Sequence, residues 1–171
     1  GSPDIALPSL RKINERFDIC AVLTKTDRLS GRGKKIQPPP VKELAGELSL
    51  PVLQPVKLNT AAREEITAYK PDILVVFAYG KIFGPVFLSL FPLGGINLHP
   101  SLLPRHRGPS PMVAAILSGD NKTGVTVQEI SLEMDAGDII LQEEFPLSGK
   151  EKRPDLEEKA AELGADALCR A

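Results

Sequence analysis

The run Gly95-Ile96-Asn97-Leu98-His99-Pro100 sets an amide and an imidazole two residues apart, ahead of a proline. Read as a strand over 95–99, its period of two sends Asn97 and His99 to one face and Ile96 and Leu98 to the other, and Pro100 ends it. Both polar groups then project near the carboxyl end of a strand, where open parallel sheets hold their ligands. A carboxylate is available in the small-residue turn Met134-Asp135-Ala136-Gly137-Asp138. An amide donor, a histidine and an acid suit acyl transfer: one group polarises a carbonyl, another handles the proton, and the acid tunes the imidazole. Taken singly, Asn97 and His99 could equally satisfy buried backbone groups, and an Asp-Gly turn is usually only a turn.

Such groups need a framework. Short runs rich in branched or aromatic residues at 17–24, 73–78, 95–99, 125–130 and 139–145 read as strands. Between them, Pro40 followed by Val41, Leu44, Ala45 and Leu48 has amphipathic spacing, Thr60 to Tyr69 opens on a capping residue, and Ile82 to Leu90 stops before Pro92. From Lys150 onward the chain is charged and helical, with Leu156, Ala160 and Leu163 on one face. This alternation predicts an α/β fold, doubly wound, with a mostly parallel sheet covered by helices on both faces and all 171 residues in one domain. Gly1-Ser2-Pro3-Asp4 leads straight into a helix, so the strand that such a fold places first is expected to be missing.

Asn97, His99, the run Ser101-Leu102-Leu103-Pro104 and Asp135 together resemble the signature of the folate-dependent formyltransferases. The resemblance implies a Rossmann-like formyltransferase fold, with Asn97, His99 and Asp135 as the catalytic set and 10-formyltetrahydrofolate as formyl donor. It also implies a folate pocket along Ala78-Tyr79-Gly80-Lys81-Ile82, and assigns Ala78, Tyr79, Gly80, Ile82, Ser101, Leu102, Leu103 and Pro104 to folate binding. The segment Asp27 to Lys35, with Pro40-Val41-Lys42 after it, is similar to the loop of the branch that formylates methionyl initiator tRNA, so Arg28, Arg32, Lys34 and Lys35 are expected to meet the tRNA. A carboxyl-terminal barrel domain is expected outside this sequence. Branches acting on glycinamide ribonucleotide or sugar nucleotides, and the hydrolases of formyltetrahydrofolate, would share the trio.

The net charge of -1 does not favour nucleic-acid binding by the domain as a whole, but Lys25, Arg28, Arg32, Lys34 and Lys35 concentrate positive charge in one glycine-containing segment. No apolar stretch reaches the roughly 20 residues of a membrane-spanning helix, and no signal peptide opens the chain, so a cytoplasmic monomer without membrane contact is expected. Cys20 and Cys169 are read as reduced core residues. No Cys, His and carboxylate grouping has zinc spacing, so no metal is expected, and no glycine fingerprint for a nucleotide is present. His106, between two arginines, is expected at the surface or against substrate.

Overall fold

A computed structural model describes residues 1–30 and 35–171. After a single 3-10 turn at Asp4–Ala6, the elements are α1 (Leu7–Asn14), β1 (Val22–Leu23), β2 (Arg28–Ser30), β3 (Lys35–Gln37), α2 (Pro40–Glu47), β4 (Val52–Leu53) and α3 (Thr60–Thr67). They continue with β5 (Leu74–Phe77), α4 (Pro85–Leu88), β6 (Gly95–His99), α5 (Pro111–Leu117), β7 (Lys122–Glu129), β8 (Ile139–Pro146) and α6 (Arg153–Arg170). Helix starts follow local chemistry: proline occupies the first turn of α1, α2, α4, α5 and α6, where its missing N–H costs nothing, and the Asn59 side chain accepts from the Ala62 N–H at the start of α3.

The pairs β1–β4 and β5–β6 are parallel, whereas β7 runs antiparallel between β6 and β8. Parallel pairing, as the helix alternation predicts, holds for the two-stranded β1–β4 sheet and for β5–β6 in the four-stranded sheet β5-β6-β7-β8, whereas β6–β7, with α5 between them, and β7–β8, joined without a helix, are antiparallel. Strand β2 pairs antiparallel with β3 in a separate hairpin. Gly1 lies between the ends of β1 and β5: its amino group donates to the Leu23 carbonyl at 3.3 Å, and burial lowers the pKa of that amine to about 5.

Alternation along the strands divides the interior in two. Phe77, Leu98, Val125 and Val127 face α1, α2 and α6, packing with Val41, Ala45, Ala160, Ala167 and Leu168. Leu74 and Val76 face the other way, onto Ile66 of α3 and a stacked aromatic series from Tyr79 and Phe83 to Phe87 and Phe91. Helices therefore cover both faces. On β6 and β7 that second face is polar: Asn97 and His99 stand opposite Gln128 and Thr126 in register, and His99, Thr126 and Gln128 are buried.

Some elements are shorter than the sequence suggests. Only Val22 and Leu23 of the 17–24 run find a strand partner, in β4, and Phe17 and Cys20 are exposed. Cys20 is therefore no core residue; it and Cys169 are both free thiols. Helix α4 spans only Pro85–Leu88 because the preceding segment is tied down otherwise, with Gly80 at φ +69 and the Lys81 ammonium held by the carbonyls of Pro55 and Val56.

Gly124 is where the sheet admits no side chain. A Cβ there would lie 2.0 Å from the Glu143 carbonyl oxygen and 2.7 Å from Leu102 Cδ2, forcing β8 and the loop after β6 outward. Gly124→Ala is expected to cost about 1–3 kcal/mol or more, as overpacking does. Denaturant unfolding checks it, and an unchanged midpoint would show that the loop and strand can yield freely.

Candidate active site

The loop that follows β6 is strapped across the polar face. Thr126 Oγ1 donates to the Ser101 carbonyl (2.7 Å) and accepts from the Leu103 N–H (3.1 Å) and Gln142 Nε2 (2.9 Å), using the capacity of one hydroxyl fully. Ser101 Oγ donates to the Arg105 carbonyl at 2.7 Å. Further along, the Gly108 N–H donates to Asp135 Oδ2 at 2.8 Å, joining this loop to the turn between β7 and β8.

Asp135 adopts φ +51, a left-handed conformation that aspartate tolerates better than most residues because its short polar side chain can bond locally. That backbone turns its carboxylate inward. Oδ1 accepts from Gln128 Nε2 (3.3 Å), and Oδ2 lies 3.5 Å from His99 Nδ1. His99 Nε2 lies 3.0 Å from the His106 carbonyl, which can only accept, so that nitrogen carries a proton. Both ring nitrogens thus face acceptors. The doubly protonated ring suits both, whereas a lone pair on Nδ1 would point at a carboxylate. Asn97 stands beside them, half-buried, its amide paired to no described residue.

These groups open onto one cleft of about 1090 Å³. Asn97, His99, Gln128 and Asp135 line it, as do Ala78, Tyr79, Gly80 and Ile82 beyond β5. The sequence-derived trio is therefore brought together, and one part of the expected folate segment lies on the same cleft. Ile82, Leu132 and Met134 give the lining exposed apolar side chains. Ser101, Leu102, Leu103 and Pro104 are not among the lining residues: Ser101 and Leu103 are buried against β7, where they hold the loop in place.

Two groups escaped the sequence reading. Gln128 is fully buried, and because Asp135 can only accept, its amide must present Nε2 to that carboxylate; Oε1 is then left without a hydrogen-bond partner. The signal was weak, one amide in the alternating apolar and polar run Val125-Thr126-Val127-Gln128. His106 is the other. It is neither a surface group nor on the cleft, since its Nε2 lies 2.7 Å from the buried carboxylate of Asp120. That contact, with Arg105 behind it, holds the Asp120 carboxyl below the ordinary aspartate range.

Of the residues expected to meet tRNA, Arg28 is exposed on β2; Arg32 and Lys34 lie outside the described residues, and only the backbone pairing of Lys35 with Ser30 is described. The base of this segment is anchored. Asp27 accepts from Gln54 Nε2 (2.7 Å) and Lys42 Nζ (2.7 and 2.8 Å), and these contacts lower its pKa, the glutamine bond first.

An α/β fold with an amide, an imidazole and a carboxylate gathered where β6 ends is a group-transfer scaffold in class. The family model described as "Formyl transferase" matches residues 5–171, and the chain belongs to that family. It is 50% identical over 159 residues to the methionyl-tRNA formyltransferase of Treponema denticola, covering 88% of this chain and 49% of that protein. With the methionyl-tRNA formyltransferase of Desulfotalea psychrophila it shares 46% over 170 residues, 98% of this chain and 53% of the relative. The chain thus spans about half the length of these relatives. Among solved structures, the phosphoribosylglycinamide formyltransferase of Streptococcus pneumoniae TIGR4 superposes with a TM-score of 0.81 at 21% identity, covering 99% of this chain and 92% of that one. A formyltetrahydrofolate deformylase from Pseudomonas syringae gives 0.74 at 22% identity, covering 95% and 55%. These two likenesses establish the fold.

The left-handed backbone at residue 135 sets an expectation for stability. Asp135→Asn keeps a residue type that tolerates φ +51, whereas Asp135→Ala does not, so the alanine variant should be less stable than the asparagine variant by on the order of 1–2 kcal/mol. Equal unfolding midpoints for the two variants would show that the turn relaxes.

Proposed function

We propose that this domain transfers the formyl group of 10-formyltetrahydrofolate to the amino group of methionyl initiator tRNA. The convergence of Asn97, His99 and Asp135 on one cleft carries the chemical part of the reading. Its choice of acceptor is supported by the relatives at 44–50% identity, which are named methionyl-tRNA formyltransferases, and by the basic segment Arg28 to Lys35.

The amine attacks the formyl carbon, and negative charge develops on the formyl oxygen as the tetrahedral intermediate forms. Asn97, with its amide uncommitted, donates to that oxygen. His99 acts as a cation beside it: the Nε2 proton rests on the His106 carbonyl and the developing oxyanion competes for it, while Asp135 stabilises the charged ring from Nδ1. The proton lost by the amine passes towards Asp135, directly or through one water. As the C–N bond breaks, its electron pair goes to folate N10, which takes up the proton that left the amine, returned from Asp135 directly or through water, so no covalent enzyme intermediate is needed. The folate lies along Ala78, Tyr79, Gly80 and Ile82, where the exposed Ile82 and the glycine backbone leave room for a flat ring. No metal takes part in this scheme. The enzyme works in the cytoplasm as a monomer.

Two sets of variants in the full-length protein test this reading. His99→Ala and Asn97→Ala should each slow formylation by roughly 100- to 1000-fold with folate affinity little changed, and the double variant should fall short of the product because both act on one oxygen. Equal losses of affinity and rate would make them structural groups instead. Arg32→Ala should weaken use of methionyl-tRNA and spare folate binding, and replacing Lys34 and Lys35 together should flatten the salt dependence of tRNA binding. Unchanged tRNA kinetics across a salt series would transfer the assignment to a small amine acceptor.

A further inference from the structure

Asp120 is an aspartate that the fold buries although it follows a helix end, where water is normally at hand. Gly119 takes φ +63 after α5, and the N–H groups of Gly119 and Asp120 return to the carbonyls of Ile116 and Ala115, so the turn that closes the helix fixes residue 120 in place. Only 7% of its side chain is exposed. A buried carboxylate must be paired, and both of its partners come from the loop behind the active site: Arg105 at 2.7 Å from Oδ1 and His106 Nε2 at 2.7 Å from Oδ2.

The two partners are not equivalent. Arg105 is 64% exposed, so its ion pair is screened and contributes little. The side chain of His106 is only 14% exposed, and its backbone holds φ +56, a conformation that costs a non-glycine residue on the order of 1–2 kcal/mol and persists only where surroundings enforce it. What that conformation achieves is visible one atom further on. It points the His106 carbonyl at His99 Nε2, 3.0 Å away. The acceptor bonded to one imidazole nitrogen fixes the orientation of the ring, and here it turns Nδ1 towards Asp135.

We propose that His106 and Asp120 are positioning residues for His99: the carboxylate grips the His106 side chain, the grip keeps residue 106 left-handed, and the carbonyl so directed sets the His99 ring. The role rests on His99 being the catalytic imidazole, as argued above. It also explains why His106 lies outside the cleft yet is packed against a buried acid.

The test uses the full-length protein and its imidazole nitrogen resonances, which are tractable because this domain contributes only two histidines. Asp120→Ala and His106→Ala, which remove the grip and leave residue 106 free to abandon its left-handed backbone, should replace the single fixed set of His99 ring-nitrogen signals with exchange-averaged ones. Formylation kcat should fall by roughly 10- to 100-fold, with KM for the folate donor unchanged, as expected when a reacting group is misplaced by about an ångström. Asp120→Asn, which preserves the size of the side chain, covers the case in which the alanine variant does not fold; it should show the same change in smaller measure. Arg105→Ala, removing only the exposed pair, should leave the His99 signals as they are. Unaltered His99 signals in folded Asp120 and His106 variants would overturn the proposal, and so would altered signals at an undiminished kcat. Absence of formyl transfer by the unsubstituted full-length protein would instead overturn the functional reading, and the nitrogen signals alone would then decide this one.

Discussion

The Asp135 carboxylate is the contact on which the site depends, because it touches the end of β6, the loop after it and β7 at once. Oδ2 accepts from Gly108 at the far end of the loop after β6 and faces His99 at the end of that strand; Oδ1 accepts from Gln128 on β7. Strand β6, its loop, strand β7 and the turn beyond are thereby fastened at one point. A carboxylate in that position must be turned inward by its own backbone, and the left-handed conformation at residue 135 does so. Around it the turn is tight: a Cβ on Gly137 would stand 1.9 Å from the Glu129 carbonyl oxygen, so residue 137 must be glycine for the turn to lie against the end of β7.

The arrangement is possible because β6 and β7 keep their two faces chemically distinct. Leu98, Val125 and Val127 give one face to the core under α6, so the alternate positions 97, 99, 126 and 128 are free to be polar without weakening that core. Each buried polar group then needs a partner, and the loop from Ser101 to Leu103 supplies the backbone groups that Thr126 requires. The same bonds that satisfy a buried threonine fix the path by which residue 106 reaches His99. Stability and site geometry are here one set of interactions, and among the described residues it leaves two buried groups of the cleft lining, Gln128 Oε1 and the Tyr79 hydroxyl, without a protein partner.

Much of this was legible in the sequence, for reasons of period and punctuation. Asn97 and His99 on a common face followed from strand alternation ended by Pro100, and the start of α2 followed from Pro40; α3 starts where expected, but its cap is Asn59 and not Thr60, which is its first helical residue. What escaped depends on distance in sequence. His106 and Asp120 are 14 residues apart, and nothing local in Pro104-Arg105-His106-Arg107 shows that a buried acid waits at the end of α5. Gln128 looked like one amide in an alternating strand, and only the register with Asn97 gives it meaning. The run Ser101 to Pro104, informative about family in the sequence, holds the loop onto β7 in the structure, a role that depends on the distant Thr126 and that no local pattern shows.

Recognition of the acceptor must be sought away from this machinery. An amide, a cation and a carboxylate around a carbonyl would serve any amine, since they contact only the reacting atoms. Selectivity requires contacts with the rest of the acceptor, and Arg28, the basic residue of the Asp27 to Lys35 segment whose side chain is described, does not line the cleft. What the described structure shows of that segment is its foundation. Asp27 is held by Gln54 from the β4 side and by Lys42 from α2, so a strand pair and a helix converge on the residue that opens the segment. The anchor sits at the base of a segment in which the sequence concentrates Arg28, Arg32, Lys34 and Lys35 on a chain whose net charge is only -1, a distribution that confines electrostatic attraction for anions to one place.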